Sequence, residues 1–323
     1  MSASLQHRRM ILIGELLAVL FMGAVAAAAH GTGVNLLLFP ELAALSHDVL
    51  TRPEGKWASQ PFRLILTPTL AAVAGLFITR HAPYNPIAIL AIVSAGLLTI
   101  RLLRSSIAPA ISAGVLPMLL DERHWTYPLA IGAGLVGLAL LLWVWRRCAS
   151  SVAASRDLLN EKIDDALEMR PAEHFWPITL LAFVWVVAVI SQLTGLRFIL
   201  FPPLIVMACE ILGHPEVPGW MEHPALFPLV SSLTACVGLV ACRDCNSRPA
   251  GVVLAVAISI LLLRLFRMHM PPALAIGVLP FVISGPNIWY PISVVIGTTA
   301  LTFWFLAQGH LRDTRIKQTT TWM

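Results

Sequence analysis

Apolar residues run along this chain in long blocks divided by short polar stretches, and the blocks fall into two length classes. Residues 10–30, 62–80, 86–104 and 125–145, and again 176–194, 224–242, 249–267 and 289–307, are long blocks. Each fits the roughly 17–25 residues of helix that cross a bilayer. Shorter apolar pieces lie between them at 35–50, 107–120, 198–212 and 270–284. The turn from His81 to Pro86 separates two long blocks, because paired prolines and an asparagine cannot continue a helix. The pattern predicts an all-α, polytopic transmembrane helical bundle. A short piece at membrane depth is either re-entrant or a complete, proline-kinked span. A re-entrant one exposes backbone polar groups, so it persists only where it lines a cavity or packs inside protein. Both options keep the number of crossings even, and the pattern leaves them open.

The block order is written twice. Arg101, Arg104, Pro109, Gly114 and Pro117 are matched by Arg264, Arg267, Pro272, Gly277 and Pro280, each pair 163 positions apart. Gly75 matches Gly238, Arg80 matches Arg243, and Tyr127-Pro128 matches Tyr290-Pro291. Pro53, Glu54, Trp57 and Pro61 match Pro215, Glu216, Trp220 and Pro224, with one inserted residue near position 217. A fixed-period self-match over most of a chain indicates tandem copies of one structural unit. The expected organisation is therefore two tandem parallel repeats, 1–145 and 176–311, each with about four full spans plus two short or re-entrant helices. A connector at 146–175 joins them and a tail covers 312–323. The start of the chain resembles a signal peptide, with Ala26 to Ala29 as a cleavage site. Its counterpart, Trp176 to Thr194, lies in mid-chain, so the first block is read as a retained span.

Composition excludes a water-soluble domain: 58% of residues are apolar and 12% charged, with a mean hydropathy of +0.80. The net charge of +5 is dispersed, which gives no footprint for nucleic acid. Basic residues gather at His7 to Arg9, at Arg146 and Arg147, and at Arg312, Arg315 and Lys317. The positive-inside rule puts all three groups, and so both termini, in the cytoplasm of a plasma-membrane protein of the bacterial inner-membrane type. In the connector, Leu158, Leu159, Ile163 and Leu167 recur at helical spacing among charged residues, as in an amphipathic surface or linker helix. Cys242 and Cys245 form a C-x-x-C, readable as redox-active, half a metal site, or incidental. Thr79 and Ala82 hold those places in the first copy, outside any shared machinery.

Candidate chemistry concentrates around the repeated arginines. Arg101 and Arg104 share one helix face, as do Arg264 and Arg267. Each pair precedes a short helix that starts at Pro109 or at Pro271-Pro272. A helix start with unpaired N–H groups beside guanidinium groups can bind an anion. The alternative is that these arginines reach lipid headgroups. Asp48 and Glu210 match within the first short pieces, as intramembrane carboxylates open to proton coupling or to pairing with an arginine. Glu15 has no acidic counterpart, the aligned residue being Pro177, and is expected to bond to a neighbouring helix. His269 replaces Ser106 and reads as a packed, capping or ligand-binding side chain. No catalytic constellation, metal set or cofactor fingerprint is visible, so no enzyme activity is expected.

Phe201-Pro202-Pro203-Leu204 and Met270-Pro271-Pro272-Ala273, with His269 one place early, resemble the phrases of the HPP family of integral membrane proteins, named for a His-Pro-Pro motif. Phe39-Pro40-Glu41-Leu42 and Ile107-Ala108-Pro109-Ala110 resemble them more loosely. The resemblance implies a divergent tandem duplication of an HPP-like unit and a permease or channel for a small, nitrite-like inorganic anion. The expected binding residues are Arg101, Arg104, Pro109, Gly114, Arg264, Arg267, His269, Pro271, Pro272 and Gly277. The lipid bilayer and the anion are the expected partners, and homo-oligomer formation stays open. The alternative is a non-transporting membrane scaffold or lipid-binding subunit.

Overall fold

A computed structural model describes residues 3–149, 175–214 and 223–320. Most of the expected connector lies outside them, and so do Pro215, Glu216 and Trp220. All regular structure among the described residues is helical. The first half holds α1 (Ala3–Thr32), α2 (Glu41–Thr51), α3 (Pro61–His81), α4 (Pro86–Leu102), α5 (Pro109–Leu120) and α6 (Thr126–Ala149). The second holds α7 (Trp176–Thr194), α8 (Pro202–Gly213), α9 (Leu226–Asp244), α10 (Arg248–Leu265), α11 (Pro272–Val278) and α12 (Trp289–Thr320). Single 3₁₀ turns precede α2 (Asn35–Leu37) and α8 (Arg197–Leu200), and another, Leu279–Phe281, continues α11. The start of the expected tail continues α12 as helix.

Local chemistry explains these boundaries. Proline occupies the first turn of α3, α4, α5, α7, α8, α10 and α11, where its missing N–H leaves no bond unmade. The side chains of Asn85 and Ser247 accept hydrogen bonds from the Ala88 and Ala250 amides, capping α4 and α10. Ser247 lies one place earlier in the matched register, so α10 has 18 residues and α4 has 17. Among the described residues, seven helices are long and apolar enough to cross a membrane: α1, α3, α6, α7, α9, α10 and α12. Eight full spans were expected, and α4 is the one that falls short.

Pro117 lies inside α5 and Pro280 in the 3₁₀ turn that continues α11, and each leaves a carbonyl to satisfy. Pro117 in α5 cannot donate to Ala113, and Pro280 after α11 cannot donate to Ile276. Tyr127 Oη donates to the Ala113 carbonyl at 2.6 Å, and Tyr290 Oη to the Ile276 carbonyl at 2.6 Å. Both tyrosines are buried. The repeated Tyr-Pro pair therefore serves the repeated helix proline one element upstream.

Close contacts fix the direction of each element. Gly14, near the start of α1, lies against Leu50 and Thr51 at the end of α2. Trp145 and Arg146 at the end of α6 donate to the carbonyls of Leu50 and Pro53, both bonds near 3 Å (3.1 and 2.7 Å). Trp57 Nε1, in the loop before α3, donates to the Ser106 carbonyl just ahead of α5, at 3.1 Å. Arg80, at the far end of α3, donates to Arg123 between α5 and α6. The six helices of the first half thus alternate in direction, and Arg8, Arg9, Arg101, Arg104, Arg146 and Arg147 share one face of the bundle. Of the two options for the short pieces, this favours elements that carry the chain from one face to the other.

The short helices occupy the centre. Residues 41–50 of α2, 109–119 of α5 and the whole of α8 and α11 are buried. α2 packs against α11, α5 against α8, and α8 against α11. Longer helices surround them and turn apolar side chains such as Leu16, Phe62, Leu140, Leu193, Leu261 and Phe303 outward. That outer belt suits hydrocarbon. The halves interlock: α1 lies along α10, where Gly23 meets Val253, and α7 lies along α4, where Tyr84 Oη bonds Ser191 Oγ at 2.6 Å.

Candidate functional site

The arginine pairs end α4 and α10 in an unusual way. Ser105 N donates to Ile100 O and Arg104 N to Arg101 O; Met268 N donates to Leu263 O and Arg267 N to Arg264 O. This double bond pattern closes a helix when its pivot residue is left-handed, a place that normally belongs to glycine. The pivots here are Arg104 and Arg267, at φ 49° and 53°. A side chain there costs about 1 kcal/mol relative to glycine. Glycine holds the same place after α1 and α7, at Gly33 and Gly195.

All four repeated arginines are exposed, but they are not equivalent. Glu15 on α1 takes Arg264 through both carboxylate oxygens, with one contact at 3.0 Å. The side chain of Glu15 is 12% exposed and that of Arg264 45%. His47 Nε2 of α2 lies 3.9 Å from the same carboxylate. Glu15 therefore bonds to a neighbouring helix, as expected. Arg101 aligns with Arg264, but the residue aligned with Glu15 is Pro177, which offers no carboxylate.

Pro109 and Pro272 are buried at the starts of α5 and α11, and His269 and Pro271 are half-buried ahead of α11. Gly114 and Gly277 sit deeper, at helix crossings. A Cβ added to Gly75 or Gly238 would overlap the carbonyl of Gly114 or Gly277. That geometry gives Gly114 and Gly277 a packing task, with backbone in contact with backbone.

Asp48 is buried and paired with Arg52 one turn later on α2. Its partner is thus none of the four repeated arginines. Glu210 is buried at the matching place in α8, and His214, four residues on, aligns with Arg52. No disulfide joins the five cysteines, and Cys242 Sγ contacts the Pro280 carbonyl at 3.5 Å. Among the described residues no three His, Cys, Asp or Glu side chains gather as a metal site.

In the loop before α4, the Tyr84 phenol is pushed above its usual range by burial. The Ser191 bond and the charge of Arg197 pull the other way. Arg197 lies over the Tyr84 ring at 5.3 Å, so this loop ties the two halves together on the face opposite the arginine pairs.

Sequence reasoning passed over Glu41 as a site. It is the first residue of α2 and is 2% exposed. Ser112 Oγ of α5 donates to Glu41 Oε1, and Oε2 is buried with no hydrogen-bond partner among the described residues. α2 packs against α11, and Glu41 bonds Ser112 of α5, which packs against α8, so Glu41 lies where the two halves meet. Its counterpart is Pro203 and that of Ser112 is Ala275, so weighting repeated residues concealed it. The available signal was a carboxylate opening a short helix ahead of four apolar residues, Leu42 to Leu45.

These features define an integral membrane helical bundle with a core of short, buried helices. Comparison with protein-family models, curated proteins and solved structures finds no match.

Proposed function

We propose that this chain is a permease or channel for a small inorganic anion, built from two HPP-like units related by a two-fold axis along the membrane normal. The Arg8–Arg9 and Arg146–Arg147 face lies in the cytoplasm, as the positive-inside rule would have it, and the short helices complete the crossings. The reciprocal contacts of α1 with α10 and of α7 with α4 support the two-fold arrangement. The anion enters past Arg101, Arg104 and Arg267 toward the starts of α5 and α11. Arg264 joins this set only by releasing Glu15.

One observation carries the reading. Arg104 and Arg267 stand at matched pivots that favour glycine, so the conformation does not account for the side chain; a need for its charge does. Glycine at these pivots separates the two roles. In Arg104→Gly, Arg267→Gly, stability rises by about 1 kcal/mol per site, read as thermal unfolding in detergent. Flux of nitrite, nitrate, chloride or formate into proteoliposomes falls at least tenfold. Unchanged flux in a folded variant ends the arginine-site proposal. Absence of flux of every anion in the wild type favours the scaffold, with the arginines on lipid phosphates.

A further inference from the structure

We infer that Glu41, with Ser112, is a proton-binding site at the junction of the two halves, taking up one proton at Oε2 from water and releasing it to water.

The argument is one of unmet demand. A carboxylate 2% exposed, flanked by helices with apolar outer faces, carries a large desolvation cost unless a cation or several donors meet it. Ser112 supplies one donor, to Oε1. Oε2 is buried and has none among the described residues.

Two bases lie toward this end of α2, His30 near the end of α1, which is exposed, and Arg248 at the start of α10, which is bonded to Asn35 and to the Phe281 carbonyl, and neither donates to Glu41 Oε2. From α1 comes Glu15, held with Arg264 and His47 near the far end of α2. From α6 come Tyr127, committed to Ala113, and Arg146, committed to Pro53. α11 contributes no titratable side chain, and Tyr290 of α12 is committed to Ile276. On α2 itself, Asp48 and Arg52 pair with each other at the far end. The partial positive charge of the α2 start offsets only part of the cost.

Forming an O–H bond at Oε2 removes the charge and leaves Oε1 free to accept from Ser112. Access for the proton is short along the chain: Asn35 is exposed, Leu38 already buried, and Glu41 opens the helix that follows. A cation site fits less well, because the Glu41–Ser112 pair leaves only Oε2 uncommitted among its carboxylate oxygens, while an alkali ion asks for several oxygen ligands. The inference rests on the permease reading only for what the proton is coupled to.

The test uses the full-length protein in proteoliposomes, treated with dicyclohexylcarbodiimide, which attacks carboxyl groups in their protonated form. Adducts are mapped by mass spectrometry. The expected result is an adduct at Glu41 at about pH 5.5 that falls about tenfold by about pH 8.5, with none at the ion-paired Asp48. No adduct at either pH, or equal adduct at both, overturns the proposal. Protection by Na⁺ against choline at constant pH also overturns it, in favour of a cation site.

Ser112→Ala keeps the carboxyl and removes its donor. Its labelling profile must move along the pH axis, and an unmoved profile counts against the pair acting as one site. Anion flux separates this from the permease reading. Labelling without flux in the wild type retires the permease and keeps the proton site. Flux whose pH dependence survives Glu41→Gln retires any coupling of this proton to the anion and keeps the permease, while loss of pH-dependent labelling at Glu41 retires the proton site whatever the flux.

Discussion

At the scale of single residues, the clearest chemistry is the pairing of a helix-internal proline with a distant tyrosine. Loss of the Tyr127 hydroxyl strands the Ala113 carbonyl in a dry interior, at a cost of about 1–3 kcal/mol. Tyr127→Phe is therefore expected to lower the unfolding temperature, and Tyr290→Phe to do the same. Pro117→Ala returns an amide donor to Ala113, so in the Tyr127→Phe background it should restore much of the lost stability. A double-mutant cycle followed by thermal unfolding in detergent checks this, and additive losses would contradict the account. The sequence displayed both the tyrosines and the prolines as repeated positions, yet not their connection. A 14-residue separation across a loop carries no periodic signal. Glu41 was harder still, since its importance comes from a burial and a missing partner that only packing reveals.

At the scale of elements, most helices were legible because a bilayer allows few alternatives to a helix of the right length. The long blocks gave α7 at 176–194 outright and α3, α4, α6, α9 and α10 nearly so. The short pieces were read less well. The stretch 35–50 became a 3₁₀ turn and an 11-residue helix, and 270–284 became a 7-residue helix ended by Pro280. Hydropathy sees apolar residues and not the backbone conformation they adopt. Glycine positions offer a graded test of the crossings. Gly75→Ala drives a methyl into the Gly114 carbonyl and should cost about 1–3 kcal/mol or prevent insertion. Gly137→Ala meets only Phe21, at 3.8 Å, and should be neutral or slightly stabilising. Equal stability of the two variants would show that α3 and α5 do not approach so closely.

At the scale of the molecule, the sequence pairs residues at a fixed offset, but the way the two halves pack on each other carries no such signal. Matching one copy to the other says nothing about which helix faces which. The structure puts α1 against α10 and α7 against α4, and joins the centre through α2 with α11 and α5 with α8. Residues 1–149 expressed alone lose the partners of α1, α2, α4 and α5, and are expected to be degraded or aggregated. Coexpression with residues 175–323 should restore a complex that survives detergent extraction and copurification. A stable, monodisperse first half would mean that the interlock contributes little.

Glu41 has no twin, and that has a consequence for how such an assembly can differ from a pair of identical subunits. A dimer of one chain must present every side chain twice, so an acid near its axis always faces a second acid of the same charge. A fused chain can write glutamate at position 41 and proline at position 203. It thereby keeps a single acid where the halves meet, free of a neighbour competing for the same proton. Covalent linkage lets this molecule place an odd number of groups at its centre, so a proton bound there need not be shared between two carboxylates, as it is when two acids face each other across a symmetric dimer's axis.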